Sequence, residues 1–247
     1  MKVLVIGDSC EDVFIYGNCD RLAPAAPVPV FVETHRKSNR GMAGNVYENV
    51  LSFGIECDLI TNSAEIVKTR YVEKKTNHMI VRVDTGEQKV DRIENISDIN
   101  FEDYNAVIIS DYNKGFLLEH DIETIAASHP LVFLDTKKII DDWAMDVDFI
   151  KINEVEHNKT RTSIKDFDWI SDKLIVTAGE KGCFYKSLIF PVDKVEIKDL
   201  TGAGDSFLSA LVYSYLNDRD IFIAIKYAND CATKVVQQKG VNTINDV

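Results

Sequence analysis

The segment Asp199-Leu200-Thr201-Gly202-Ala203-Gly204-Asp205 runs straight into the apolar-periodic stretch Ser206 to Tyr213, and its residue types suit one kind of chemistry. Glycines on both sides of Ala203 let the backbone turn tightly and leave N–H groups bare, and a helix starting there points the positive end of its dipole outward. Together these make an anion site. A carboxylate on the lip of such a site is a poor partner for the anion itself, so Asp205 would hold a hydroxyl that attacks a phosphorus gripped by the N–H groups. The other account is that Gly204 closes a turn and Asp205 caps the helix, a common place for Asp ahead of an apolar run. The segment alone leaves both open.

Any such site needs a frame. Lys2 to Ile6, Ala106 to Ile109, Leu131 to Leu134, Phe149 to Ile152 and Leu174 to Thr177 are short apolar runs closed by polar residues, which predicts buried parallel strands. Helical patterns lie between and after them: Ala43 to Phe53, Glu119 to Ser128, Ile164 to Ile170, then Ala203 to Leu216 and Asp220 to Val236. This alternation predicts an α/β fold with a doubly wound sheet, where ligands collect at the C-terminal ends of the strands. The polar residues fall there: Gly7-Asp8 with Asp12, Ser110-Asp111-Tyr112, Asp135-Thr136-Lys137, Asn153, and Thr177-Ala178-Gly179. Two stretches depart from the pattern. Val28 to Glu33, after the proline-studded 23–29, and Thr69 to Lys89 alternate apolar with polar residues, as in an antiparallel flap wet on one face.

Composition narrows the function classes. The 247 residues carry no Pro/Gly/Ser-rich linker, so one domain over 1–247 is expected. Forty acidic residues against 28 basic ones give a net charge of -12, without a Lys/Arg run to track phosphates, which argues against a nucleic-acid partner. The apolar stretch Val3 to Ile6 stops at Gly7-Asp8, far short of a signal core or membrane span, so a soluble, cytoplasmic protein with no membrane partner is expected. Five scattered cysteines, with no C-x-x-C, read as reduced thiols.

With these residues assembled, the chain resembles the ribokinase-like (PfkB) carbohydrate kinases and, among them, the heptose 7-phosphate kinases. The likeness rests on Gly7-Asp8-Ser9-Cys10-Glu11-Asp12, on Arg21 to Val30 with its Ala-Pro-Val-Pro-Val element, on Ser110-Asp111-Tyr112-Asn113-Lys114-Gly115, on Asp135-Thr136-Lys137 and on Asp199 to Asp205. It implies a mostly parallel sheet flanked by helices, with a small lid contributed by about 12–35 and 69–92. It further implies ATP and Mg²⁺ as cofactors, a sugar or sugar phosphate as acceptor, and a homodimer paired through the lid strands.

The resemblance also assigns roles. Asp205 matches the catalytic base, and Gly202, Ala203 and Gly204 the anion hole for charge developing on the transferred group. Asp12, Gly41 and Asn45 match sugar-gripping positions, with Arg82, Lys114 and Lys137 as candidates for a substrate phosphate. Asn153 and Glu156 match an N-x-x-E element that organises Mg²⁺ and its waters; read by themselves they form a helix start capped by Asn153. Thr177, Gly179 and Gly182 correspond to a nucleotide-side loop, compatible with a hairpin turn, and Asn229 falls near the adenine position. Thr201, with Asp199, lies where many members hold a monovalent cation (K⁺).

Two features depart from the family pattern. Met42 replaces the second of two glycines in Gly41-Met42-Ala43-Gly44-Asn45, which puts sugar specificity in question. The region between Thr61 and Lys68 is shorter than the likeness implies by about one βαβ unit, roughly 30 residues. The sequence therefore reads as an ATP-dependent sugar kinase acting on the anomeric hydroxyl of a heptose 7-phosphate, with another sugar, sugar phosphate or nucleoside as the alternative acceptor. An inactive nucleotide- or sugar-binding regulator is the alternative of another class.

Overall fold

The apolar runs become strands because they are β-branched and buried on both faces, as in Val3 to Ile6 and Ala106 to Ile109, where no side chain is exposed. In the computed structural model, which describes residues 1–163, 169–238, 240 and 243, the chain alternates strands and helices. The strands are β1 (Lys2–Gly7), β2 (Ser9–Asn18), β3 (Val32–Met42), β4 (Glu56–Thr61), β5 (Val67–Glu73), β6 (His78–Thr85), β7 (Ala106–Asp111), β8 (Val132–Thr136), β9 (Phe149–Asn153), β10 (Leu174–Thr177), β11 (Cys183–Tyr185) and β12 (Leu188–Phe190). The helices are α1 (Ala43–Ser52), α2 (Glu119–Ala127), α3 (Glu154–Ser163), α4 (Ala203–Asp218) and α5 (Ile221–Val235).

Eight strands form the main sheet in the order β12-β11-β10-β9-β8-β7-β1-β4. Neighbours from β10 through β4 run parallel, and β11 and β12 close one end as an antiparallel hairpin. One face buries Val5, Ile108 and Phe133 against α1, α4 and α5. The other buries Ile6, Ile109 and Ile150 against α2 and the connections near Trp143. The strand direction brings Asp8, Asp111, Asp135, Asn153 and Thr177 to one rim, as the alternation predicts.

The lid is a second sheet of four strands, β3-β2-β5-β6. Its spans differ from those read in the sequence. Prolines 24, 27 and 29 remove ladder donors, so the stretch before Val32 makes only the isolated bridge Leu22–Pro29 and β3 starts beyond it. The residue pattern gave β2 no strand of its own, because only Asp8 separates it from β1 and the two read as a strand followed by a turn, although the lid span of about 12–35 implied by the resemblance takes in most of it. The helix expected over Ile164 to Ile170 lies, for 164–168, outside the described residues. At the other end the main sheet stops at β4, and the short link 62–66 leads directly into β5 of the lid.

Candidate active site

α4 starts from Gly202, whose φ of 82° is a left-handed conformation that glycine adopts without a Cβ penalty. The first-turn N–H groups of a helix have no partner one turn back within the helix; Ala203 N donates instead to the Leu200 carbonyl at 3.3 Å, and the N–H groups of Gly204 and Asp205 present a positive rim. Asp205, in that first turn, is only 5% exposed. Both of its oxygens are engaged: Asn45 Nδ2 donates to Oδ2 at 2.7 Å and the Tyr112 hydroxyl donates to Oδ1 at 2.7 Å. Burial pushes the Asp205 carboxyl above its ordinary value; the Asn45 and Tyr112 hydrogen bonds pull it back, Asp135 pushes it up and Lys151 lowers it. The balance is upward, which suits a proton acceptor.

A polar seam between α1 and α4 sets that geometry. Ser206 Oγ donates to Asn49 Oδ1 at 3.0 Å, Asn49 Nδ2 donates to the Asn45 carbonyl at 2.8 Å, and Ser209 Oγ donates to the Val46 carbonyl at 3.2 Å. All these side chains are buried; the Ser206 and Ser209 bonds cross between the helices and fix the register of one on the other, while the Asn49–Asn45 bond within α1 holds the Asn49 amide in place. Tyr112 is fixed through its loop: fully buried Asp8 accepts the backbone N–H groups of Tyr112, Lys114 and Phe116 at 2.8, 3.3 and 3.3 Å.

Beside the helix start lies a chain of charges. The Lys151 ammonium donates to Asp135 Oδ2 at 2.7 Å, with both side chains nearly inaccessible. Lys137 pairs with Glu156 and stands 4.0 Å from Asp135 Oδ1. Burial pulls Lys137 down, but Asp135 and Glu156 outweigh it and hold the ammonium charged. A Cβ on Gly204 would come within 2.9 Å of Lys151 Nζ, so glycine there lets a cation pack against the anion loop.

Asn153 and Glu156 cap α3 reciprocally, Glu156 N donating to Asn153 Oδ1 at 3.0 Å and Asn153 N donating to Glu156 Oε2 at 2.8 Å. The helix-start reading of this pair is therefore present in the structure, alongside a buried carboxylate facing Lys137. Among the described residues no group of three or more His, Cys, Asp or Glu side chains could hold a metal. A lone carboxylate completed by water and phosphate oxygens is a donor set that suits Mg²⁺, which keeps much of its hydration.

On the lid side, Asp12 pairs with Arg70, and a Cβ on Gly41 would lie 2.2 Å from Asp12 Oδ2, so the chain passes close to this carboxylate. Lys114 binds Glu87 at 2.7 Å, with Lys68 3.9 Å from the same oxygen. Arg82 is half exposed and bound to Asp84 at 2.9 Å; β5–β6 pairing sets it opposite Arg70. On the opposite side a cavity of about 320 Å³ is lined by Thr177, Gly179, Gly182, Ala203, Gly204 and Asn229, with Ile197, Leu200, Phe207 and Val236 as apolar walls. Asn229 Nδ2 donates to the Phe190 carbonyl at 2.9 Å, so its donor ties α5 to the hairpin. Thr201 lies outside this lining; its N–H donates to Asp199 Oδ1 at 2.9 Å. A larger cavity, about 650 Å³ between α3 and β11, holds none of these groups but Glu154 at its edge.

The structure thus brings Asp205 and Asn45 into contact, sets Gly41 against Asp12, and gathers the loop residues around one cavity. Sequence reasoning set Tyr112 and Asp135 at the ligand-collecting strand ends without giving them a role, and missed Lys151 and Arg70 as members of this cluster. Lys151 carried a signal, since a lysine inside the apolar run Phe149 to Ile152 has to be paired when buried.

A parallel α/β sheet, a four-stranded lid and a glycine-started helix above a strand-end charge cluster define a ribokinase-like kinase fold. The crystal structure of ribokinase from Thermotoga maritima matches with a TM-score of 0.72 at 16% identity, covering 97% of this chain and 94% of that one. Ribokinase from Arabidopsis thaliana, complexed with ribose and ATP, matches at 0.71 and 14% identity, covering 99% and 95%. The chain belongs to the pfkB family of carbohydrate kinases, whose model matches residues 54–247. The bifunctional protein HldE of Nitratiruptor sp. is 30% identical over 98% of this chain, and that of Helicobacter pylori 29% over 97%. The chain spans 63% of the length of either relative. The Nitratiruptor alignment runs over 290 positions, more than the 247 residues of this chain, so that relative carries segments absent here.

Proposed function

We propose that this pfkB carbohydrate kinase transfers the γ-phosphoryl group of ATP to the anomeric hydroxyl of a heptose 7-phosphate. The observation that carries the transfer is Asp205: a buried carboxylate with a raised proton affinity, on the first turn of a helix whose start, through Ala203 and Gly204, lines the neighbouring cavity. In this reading the acceptor hydroxyl takes the place of the Tyr112 hydroxyl on Oδ1, and its oxygen attacks the γ-phosphorus while its proton passes to Asp205. The bond to the ADP leaving oxygen breaks, and the Gly204 N–H, that of Ala203 once it leaves the Leu200 carbonyl, and the Lys151 ammonium meet the charge on the transferred group.

The cavity lined by Gly179, Gly182 and Asn229 takes the nucleotide, and its apolar walls suit a stacked purine. Mg²⁺, when bound with ATP, would neutralise phosphate charge, with Glu156 and Asn153 holding its waters. Asp12 and Asn45 grip sugar hydroxyls. Support for a phosphorylated acceptor comes from Arg70, Lys68 and Lys114 clustered on the lid side, away from the nucleotide cavity, and from the HldE relatives. Thr201 and Asp199 would hold a monovalent cation. Every residue of β6 is exposed, with Met79, Val81 and Val83 among them, which favours a lid that pairs with a second copy.

Asp205→Asn tests the base. Turnover should fall by about 10²–10⁴-fold with ATP binding retained, and near-wild-type turnover would reduce Asp205 to a helix cap.

A further inference from the structure

Met42 joins β3 to α1 with φ 61° and ψ −131°, a backbone conformation that glycine adopts readily and a side chain strains. The turn is over-determined by its neighbours: Met42 still pairs with Ser9 in the lid ladder, while the next N–H, of Ala43, already donates to the Asp8 carbonyl at 2.9 Å. Glycine occupies position 41, where a Cβ would collide with Asp12, but not position 42, where the torsions call for it. A strained residue persists where its side chain has work that glycine cannot do.

That side chain is 4% exposed and packs with Cys10 and Ile66, against Tyr112. Its Sδ lies 3.2 Å from the Lys68 ammonium. Lys68 pairs in register with Asp12, so both project from one face of the lid, and its ammonium stands 5.7 Å from the centre of the Tyr112 ring. One turn of α1 further on, Asn45 reaches Asp205. The thioether therefore stands in the space bounded by Asp12, Lys68, Tyr112 and the start of α1, where the acceptor sugar would lie.

We infer that Met42 is a specificity-determining residue, which narrows the acceptor pocket between the lid and α1 so that the enzyme discriminates against acceptors with added bulk on the carbons facing residues 41–45. The inference rests on the sugar-kinase reading of the site. Its chemistry is steric: the wall is apolar and polarisable, so it rejects a bulkier epimer or branched sugar by overlap.

The test measures acceptor binding and transfer separately. Binding of a graded set, ribose, fructose 6-phosphate, sedoheptulose 7-phosphate and D-glycero-D-manno-heptose 7-phosphate, is followed by calorimetry with a non-hydrolysable ATP analogue present. Wild type, Met42→Gly, Met42→Ala and Met42→Leu are compared. Gly and Ala should each shift the affinity ratio of bulkier to smaller acceptors by about 10-fold or more in favour of the bulkier, and Leu, which keeps the volume, should leave the ratio near wild type. Gly should also melt at a higher temperature than Ala, because only Gly relieves the torsion. A ratio unchanged in both Gly and Ala, or changed as much by Leu, would overturn the assignment. Should a variant fail to fold, the remaining small-residue variant against Leu decides the matter. ATP turnover by the wild type reports on the kinase reading, so acceptors that bind without being phosphorylated would defeat that reading and leave Met42 judged by its ratios. Failure of every sugar to bind would defeat both.

Discussion

The Tyr112 hydroxyl donates to Oδ1 of Asp205 across 2.7 Å, so the carboxylate proposed as proton acceptor is occupied by a group of its own chain. Asn45 occupies the other oxygen, and the carboxylate is held in one orientation before any acceptor arrives. An acceptor hydroxyl gains the carboxylate by replacing the phenol, which exchanges one hydrogen bond for another at small net cost.

This arrangement has a pH signature. The charged and titratable groups around Asp205 are Tyr112, Cys10 on β2, Asp135 on β8, Lys137 beyond it and Lys151 on β9. Asp205 is raised by burial, so kcat/KM should fall on the acid side at a pH above the ordinary carboxylate value of 3.8, as the base takes up a proton. Tyr112→Phe removes a hydrogen bond that favours the ionised form. The acid limb should then move to higher pH, read from the pH–rate profile. An unmoved limb would detach Tyr112 from the base.

The Asp135–Lys151 pair predicts a stability effect. Asp135→Asn leaves a buried ammonium without its counter-charge, which typically costs about 3–5 kcal/mol in urea denaturation. The double substitution Asp135→Leu with Lys151→Met removes both charges and should recover most of that loss while abolishing transfer. Equal instability in single and double variants would show that packing, not charge, is at stake.

The cavity proposed for the nucleotide depends on a glycine. Gly182 has φ 82°, and a Cβ there would sit 1.9 Å from the Phe190 carbonyl oxygen. Gly182→Ala should cost about 1–3 kcal/mol from the torsion alone and weaken ATP binding by displacing the β11–β12 hairpin, to which Asn229 is tied. Calorimetric titration with ATP checks it.

The lid predicts an assembly. With all of β6 exposed and Met79, Val81 and Val83 on it, the protein should scatter light as a dimer at micromolar concentration, and Val81→Glu should shift it toward monomer. A wild-type monomer would contradict lid pairing.

The central strands β1, β7, β8, β9 and β10 of the main sheet were legible because they read as nearly uninterrupted apolar runs, whereas β4, β11 and β12 at its ends, short or only partly buried, were not. β2 was not, since Ser9 to Asn18 mixes Cys10, Asp12 and Tyr16 in a strand exposed along part of its length, and a single residue separates it from β1. The prolines drew attention to 23–29, but there the backbone donors of Ala23, Val28 and Val30 are spent on a local turn and an isolated bridge, and continuous strand pairing begins only at Val32. At the site, Asp205 and its glycines were visible as a continuous motif. Tyr112, Lys151 and Asp135 come from three different strand ends, and their meeting at Asp205 is a product of sheet order that no local spacing encodes.

The most direct measurement of the central claim is phosphorus NMR of the products formed from ATP with heptose 7-phosphate, unphosphorylated heptose, fructose 6-phosphate and ribose. A site that holds the distal phosphate with lid cations should prefer heptose 7-phosphate over free heptose in kcat/KM and place the new phosphate on the anomeric oxygen. Preference for free ribose, or a phosphate on a primary hydroxyl, would contradict the heptose assignment. Absence of transfer to any sugar in the presence of ATP and Mg²⁺ would contradict the kinase account itself.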